Sequence, residues 1–207
     1  MAYLQPEEYS NYGLPAGTSA DWIAAATALM NSHCRRPDLN VTQYTERLRL
    51  MSGTHTARLT YLPLSPLGSA TSPLVAIEGR FAQPRRGEMA EETLLDFVSA
   101  FSLPGQWTTI DPASVDFDAA TGELSLPANV LGLAYNEIAV TYTAGLVTIG
   151  DDVKSACAQL VRNAQATPAL NARGTRIDTM QMQYFSSSLL DETVKTWLRP
   201  YVASKVG

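Results

Sequence analysis

The sequence has few cysteines and no long apolar run, and both absences exclude functional classes. Cys34 and Cys157 are the two cysteines among 207 residues, too few for the disulfide framework of a small secreted scaffold. Both fall on the apolar faces of predicted helices, so we expect buried free thiols. No apolar run approaches the ~18 residues that a membrane-spanning helix needs. The first residues resemble no secretory signal, so we expect a protein made in the cytoplasm, with no membrane partner.

Positive charge is also scarce. The chain has 15 Lys and Arg against 20 Asp and Glu, a net charge of -5. A free-standing nucleic-acid binder would need a basic surface to displace counterions from phosphates, so this class is disfavoured. The negative charge is compatible with a protein surface along which DNA passes without binding. With 45% hydrophobic and 17% charged residues, the composition is that of a globular protein.

Motifs for catalysis are absent. The sequence has no phosphate-binding loop, dinucleotide fingerprint, nucleophile elbow or metal-binding cysteine or histidine spacing. His33 directly precedes Cys34, and adjacent helical side chains point about 100° apart, so the two cannot easily form a nucleophile and base. A zinc site that combines them with His55 and Cys157, or a pair of catalytic carboxylates, stays open as an alternative on residue count alone. We predict a protein that is not an enzyme and has no cofactor, metal or catalytic residue.

The first strong helix signal is "GTSADWIAAATALMNSHCRRP". Ser19 or Asp21 is a suitable N-cap, and Pro37 ends the helix. Six residues repeat at helical spacing and are predicted to form its apolar face: Trp22, Ala25, Ala26, Leu29, Met30 and His33.

A block of predicted β-strands follows. "QYTERLRL" and "ARLTYLPL" alternate polar and apolar residues, and Gly53 between them predicts a hairpin turn. Further strands are predicted at "LVAIEGRFA", "QWTTID" and "YNEIAVTYTAG", and a hairpin at "SVDFDAATGELSLP". "TLLDFVSAF" fits a helix or a strand. The aromatic residues Trp107, Tyr135 and Tyr142 are interpreted as strand packing.

The last third returns to helix. "GDDVKSACAQLVRNAQAT" begins with two aspartates, which favour the positive end of a helix. The polar segment "TRIDTMQMQYF" has strand character. In the final helix, "LLDETVKTWLRPYV", Ser187 or Ser188 is the predicted cap, and Trp197 and Tyr201 belong to the apolar side.

These patterns predict an α+β fold. The N- and C-terminal helices each need an apolar partner, since single helices of this length are marginal alone. We therefore expect one small helical bundle from residues 1–44 and 149–207, with a C-terminal arm. An antiparallel β-rich domain, residues 45–148, is inserted between its two halves.

The order of these segments resembles the head-completion or adaptor family of tailed-bacteriophage head–tail connector proteins. "ADWIAAATALMNSHCRRP" followed by "YTERLRL" resembles its opening helix, Cys-Arg signature and strand. "RLTYLPLSPL", "ELSLP" and "EIAVTYTAGLVTIGDDVKSACAQLVRNA" resemble its Leu-Pro step, last hairpin and following helix. "RIDTMQMQYFSSSLLDETVKTWLRPYV" resembles its closing arm and helix. Residues 83–112 match no part of that family.

The resemblance implies a structural protein of the virion, made in the host cytoplasm and placed in the neck between capsid and tail. Such adaptors assemble as a homo-oligomeric ring, usually of twelve copies, beneath the portal protein. The ring extends the DNA channel, through which genomic DNA passes without specific binding, and contacts a stopper or tail protein. Another neck component, a stopper or tail-completion protein, is the alternative, and a small enzyme without a recognisable motif is a weaker one.

The resemblance leads us to predict two sets of residues, one at a partner interface and one on the channel wall. A polar arm and aromatic anchors suit a partner's strand edge or pocket. The predicted interface residues are Arg176, Met180, Met182, Tyr184, Phe185, Trp197 and Tyr201. Carboxylates on a channel wall would repel phosphate. The predicted channel-lining residues are Glu88, Glu91, Glu92, Asp116 and Asp118.

Overall fold

The structure is a computed structural model that describes residues 2–50, 54–81, 105–128, 135–166, 174–177, 180–183 and 189–204. The described part of the chain contains helices and antiparallel sheets, which confirms the predicted α+β class. The chain divides into two compact units. One contains Met1–Leu39 and Thr148–Ala203, and the other Asn40–Val147 and Ser204–Gly207. The sequence places the corresponding boundaries after residues 44 and 148.

The first unit is built around helix α2. A 3-10 helix, Pro6–Tyr12, precedes α1 (Ala20–Cys34), and α2 (Asp151–Ala166) is followed by α3 (Glu192–Leu198), which ends in a 3-10 turn. Helices α1 and α3 both pack against α2. The side of α2 that they cover is apolar, and its buried residues are Val153, Ala156, Cys157, Ala158, Leu160 and Val161.

The buried face of α1 matches the predicted one only at Ala26 and Met30. Ser19 caps the helix by accepting the Asp21 backbone N–H at 3.2 Å, as predicted. However, Trp22 is 43% exposed. The residues that α1 buries are Ile23, Ala26, Thr27, Met30 and Cys34. Alanines surround the whole helix, so apolar spacing alone selected a face rotated away from the true one.

The second unit contains two antiparallel sheets. Strands β1 (Thr42–Arg49), β7 (Glu137–Ala144), β3 (Leu74–Arg80) and β4 (Thr108–Ile110) form a four-stranded sheet in that order. Strands β2 (Thr56–Arg58), β6 (Glu123–Ser125) and β5 (Asp116–Phe117) form a three-stranded sheet. A separate two-stranded hairpin, β8 (Gly174–Ile177) and β9 (Met180–Gln183), follows α2 in the chain.

The predicted hairpin between the first two strands is wrong, whereas the second is confirmed. Strand β1 pairs with β7 over eight residues, from Thr42 opposite Ala144 to Arg49 opposite Glu137, and β2 pairs with β6 in the other sheet. The longer partner gives β1 more ladder hydrogen bonds than three-residue β2 can offer. Strands β5 and β6 form the hairpin expected from the Thr-Gly turn, in which Gly122 has a φ of 70°.

The two sheets share one hydrophobic core. Tyr142 is fully buried in it, as the strand-packing interpretation requires, and the rings of Tyr44 and Tyr61 stack 3.9 Å apart. Ala57 and Leu124 enter the same core from the three-stranded sheet. Because alternate residues of a strand point to opposite faces, the remaining residues of each sheet form two outward faces on opposite sides of this unit.

Candidate partner interface

Helix α3 is fixed by its cap and by two buried side chains. Asp191 is the N-cap, not the predicted serines, and its carboxylate accepts the Val194 backbone N–H at 2.8 Å. Asn163 of α2 donates to the same carboxylate at 3.0 Å. Burial raises the pKa of Asp191, but these hydrogen bonds outweigh it and hold the pKa below its ordinary value. Val194 and Leu198 are fully buried, so α3 closes the core of its own unit.

Hydrogen bonds also hold the residues after α3 in place. The Ala203 backbone N–H donates to the Cys34 carbonyl at 3.0 Å, which also satisfies the C-terminal end of α1. The Tyr201 hydroxyl donates to the Asp152 carboxylate at the start of α2. Burial and this hydrogen bond raise the pKa of Tyr201 to about 12, so its hydroxyl stays a proton donor at neutral pH.

Trp197 and Tyr201 are half-buried. The Tyr201 hydroxyl donates its hydrogen bond to Asp152, so Tyr201 holds the segment after α3 against α2. Both rings still present part of their surface to solvent. Their assignment to a partner interface stays a prediction.

The predicted arm contains a β-hairpin. Thr175 lies opposite Met182, Arg176 opposite Gln181 and Ile177 opposite Met180. Three predicted interface residues, Arg176, Met180 and Met182, therefore belong to one short antiparallel ladder. Tyr184 and Phe185 lie outside the described residues.

The predicted channel carboxylates Asp116 and Asp118 lie at the β5–β6 hairpin. Asp116 lies opposite Ser125 and is exposed. Asp118 accepts hydrogen bonds from the Ala120 backbone N–H at 2.8 Å and the Thr121 hydroxyl at 2.9 Å. The Ala120 contact, the larger cause, lowers the pKa of Asp118 and shows that this carboxylate shapes the turn. Glu88, Glu91 and Glu92 lie outside the described residues.

Sequence reasoning missed an arginine cluster on the outward face of the four-stranded sheet. Glu137 on β7 is only 2% exposed and accepts hydrogen bonds from two arginines. Arg47 Nε on β1 donates to one carboxylate oxygen at 2.6 Å, and Arg80 Nε on β3 donates to the other at 2.7 Å. One carboxylate thus joins three neighbouring strands.

Trp107 completes this cluster. The guanidinium carbons of Arg80 and Arg47 lie 4.6 Å and 5.3 Å from its ring centroid, within the range of cation–π attraction. Burial raises the pKa of Glu137, but the hydrogen bonds from Arg47 and Arg80 outweigh it and hold the pKa below its ordinary value. The signal in the sequence was the alternation of inward and outward positions along each strand. Outward positions on β1 and β3 hold arginines, and the outward position on β7 holds an acid.

The two cysteines weighed for catalysis lie in unreactive surroundings. Cys34 and Cys157 are free, fully buried thiols, as predicted. Burial raises the pKa of each to about 11, which keeps both protonated at neutral pH. Among the described residues, no group of three or more His, Cys, Asp and Glu side chains is placed to hold a metal ion.

Helix length and polarity were compared with the requirements for crossing a bilayer. In the described part of the chain, no helix is both long and apolar enough to span a membrane.

The chain was also compared with known proteins. Neither the protein-family models nor the curated protein sequences gave a match.

Proposed function

We propose that this protein is a head–tail adaptor of a tailed bacteriophage. In this role, copies of the chain form a ring under the portal, extend the DNA channel and join the capsid to a stopper or tail protein. The observation that carries the proposal is the order of elements. Helix α1 and helices α2 and α3 come from opposite ends of the sequence and belong to one compact unit. The β-strands between them form the other, and the hairpin lies between α2 and α3.

The hydrogen bonds that hold α3 against α2 support a docking role for the hairpin between them. Asn163 and Asp191 join α2 to α3, so the chain is anchored on both sides of the segment that contains β8 and β9. A short strand ladder anchored at both ends is suited to adding its edge to a partner's sheet. The proposed partner is the portal or a neighbouring copy.

The charge balance also supports the proposal. A net charge of -5 suits a protein that DNA passes rather than binds. The buried, protonated thiols offer no activated nucleophile that would favour the enzyme alternative.

Electron microscopy of particles from an infected lysate tests the proposal directly, with the protein carrying a visible affinity label. We expect the label at the single vertex between head and tail. Particles without label would show that the protein is not a neck component.

The role of the arm needs a second experiment. Residues 171–186 are replaced by a Gly-Ser linker of the same length, which preserves the spacing between α2 and α3. We expect a folded protein, judged by circular dichroism and melting temperature, that is absent from particles. Full incorporation of this variant would contradict the arm's role and leave the adaptor proposal intact.

A further inference from the structure

Two outward faces of the β unit carry opposite charge. The basic face belongs to the four-stranded sheet and contains Arg47, Arg49, Arg80 and Trp107, together with two carboxylates. The acidic face belongs to the three-stranded sheet and consists of Asp116, Asp118 and Glu123.

The basic face exposes more positive than negative charge. Three guanidiniums lie near two carboxylates, Glu78 and Glu137, and Glu137 is only 2% exposed. The Arg47 side chain is 55% exposed, and its hydrogen bond to Glu137 uses Nε, which directs the guanidinium without covering it. Trp107 is half-buried between the same arginines. Arginine and tryptophan are the residue types that most often dominate protein interfaces.

The acidic face has the complementary composition. Asp116, Asp118 and Glu123 are exposed, and the arginine on this side, Arg58, lies directly opposite Glu123. Three carboxylates therefore accompany one guanidinium. Residues next to them, such as Ser125, are small and exposed, so a partner surface could approach the strands closely.

The two faces cannot meet within one copy. Residues of both sheets enter one hydrophobic core, so the outward faces lie on opposite sides of the unit. A surface on one side that complements a surface on the opposite side gives a head-to-tail contact. Repeated from copy to copy, such a contact closes a ring if the successive rotations add up to a full turn, and it gives an open filament if they do not.

We infer that the basic face of one copy docks on the acidic face of a second copy of this chain. The inference rests on the proposed ring and assigns the surfaces through which neighbouring β units meet. Exposed ion pairs contribute little affinity, about 0–1 kcal/mol each. The charges therefore set the orientation and register of the contact, and like faces repel each other.

Cysteine cross-linking tests the direction of the contact. Thr45→Cys places a thiol on the basic face, next to Arg47 along β1, and Ser125→Cys places one on the acidic face. Native Cys34 and Cys157 are fully buried, so a bis-maleimide reagent reaches the new thiols first. Each variant is produced alone and together with the other, in infected cells and as concentrated purified protein. Cross-linked dimers are then measured by gel electrophoresis.

The head-to-tail contact predicts cross-links only in the mixture. Cross-links within either single variant would indicate like faces in contact and overturn the inference, and so would a mixture without cross-links in assembled particles. Label at the neck without the predicted cross-link would leave the adaptor proposal standing. The purified protein could also show head-to-tail cross-links while the protein is absent from particles. That result would contradict the adaptor proposal and support the contact between copies.

Charge reversal separates electrostatic complementarity from simple proximity. Asp116→Lys with Glu123→Lys, added to the Ser125→Cys protein, is expected to lose most of the cross-linking to the Thr45→Cys protein. A control with Glu7→Lys and Glu192→Lys changes the net charge equally, but in the helical unit. It is expected to cross-link like the parent. Equal yields from both double variants would overturn the charge-directed contact.

Discussion

Arg80 and Glu137 lie directly opposite each other on β3 and β7, and the Arg80 Nε donates to the Glu137 carboxylate at 2.7 Å. Arg47 on β1 occupies the other oxygen of the same carboxylate. A buried carboxylate without such partners would carry a large desolvation cost. Glu137 and its two arginines therefore link the edge strand β1 to β7 and β3, and the carboxylate positions both arginines on the basic face.

Replacing this carboxylate should destabilise the protein. We expect Glu137→Gln to lower the free energy of unfolding by about 1–3 kcal/mol. The glutamine amide keeps one neutral acceptor oxygen for one arginine and turns an N–H donor toward the other arginine at a buried site. Glu78→Gln is the matched control, since Glu78 is exposed on the same face, and it should stay close to wild type. Urea unfolding measures both. Equal midpoints for the two variants would contradict a stabilising role for Glu137.

The pH dependence of this variant has a definite sign. The pKa of Glu137 is lowered in the folded protein, so its ionised form contributes stability above the ordinary carboxyl pKa. That contribution is lost as the pH falls through the folded pKa. The difference in stability between wild type and Glu137→Gln should therefore be full at neutral pH and shrink in acid. A constant difference across this range would count against the assigned ionisation.

The cysteines should react slowly in the native protein. Both thiols are fully buried, and a pKa of about 11 leaves little thiolate at neutral pH. Ellman's reagent should therefore titrate two thiols rapidly in denaturant and react much more slowly in buffer. Fast reaction of either cysteine in buffer would mean that its helix opens readily, and it would also undermine the cross-linking design.

The sequence predicted class and element order because both depend on local patterns. The alternation in β3 and β7 and the aspartates at the start of α2 predicted the elements that the structure contains. Pairing was harder. Gly53 suggested that β1 and β2 form a hairpin, but partner choice depends on packing between distant residues, such as Tyr44 and Tyr142, which are 98 positions apart.

The candidate site was harder to predict from the sequence than the fold. Asp116 and Asp118 could be named from alternation, yet the turn-forming hydrogen bonds of Asp118 depend on the local backbone. The basic face required three strands to bring Arg47, Glu137 and Arg80 together. In the sequence, the arginines are separated by more than 30 positions, and no short motif joins them.

The cap of α3 supplies a prediction for the helical unit. Asp191→Ala removes the acceptor of the Val194 N–H and a partner of Asn163. It should cost about 1 kcal/mol at neutral pH. The pKa of Asp191 is lowered, so the cost should diminish as the pH falls through its folded value. Glu192→Ala, an exposed neighbour, should have little effect at any pH. Hydrogen exchange in α3 would locate the change, and protection unaltered by Asp191→Ala would exclude the cap as its anchor.

Gly145, in the "YTAG" segment at the end of β7, gives the sharpest steric prediction. Its φ is 139°, and a Cβ there would lie 2.4 Å from the Asn40 carbonyl oxygen, where only backbone movement could relieve the overlap. We expect Gly145→Ala to lower the free energy of unfolding by at least about 1 kcal/mol. Gly17→Ala is the control, because nothing lies within 4 Å of its added Cβ. That control should stay within about 0.5 kcal/mol of wild type. Thermal unfolding compares the two, and equal stability would mean that the contact between Asn40 and Gly145 is looser than the structure places it. A loss confined to Gly145→Ala would show that this glycine is required so that the chain entering β1 can lie against the end of β7.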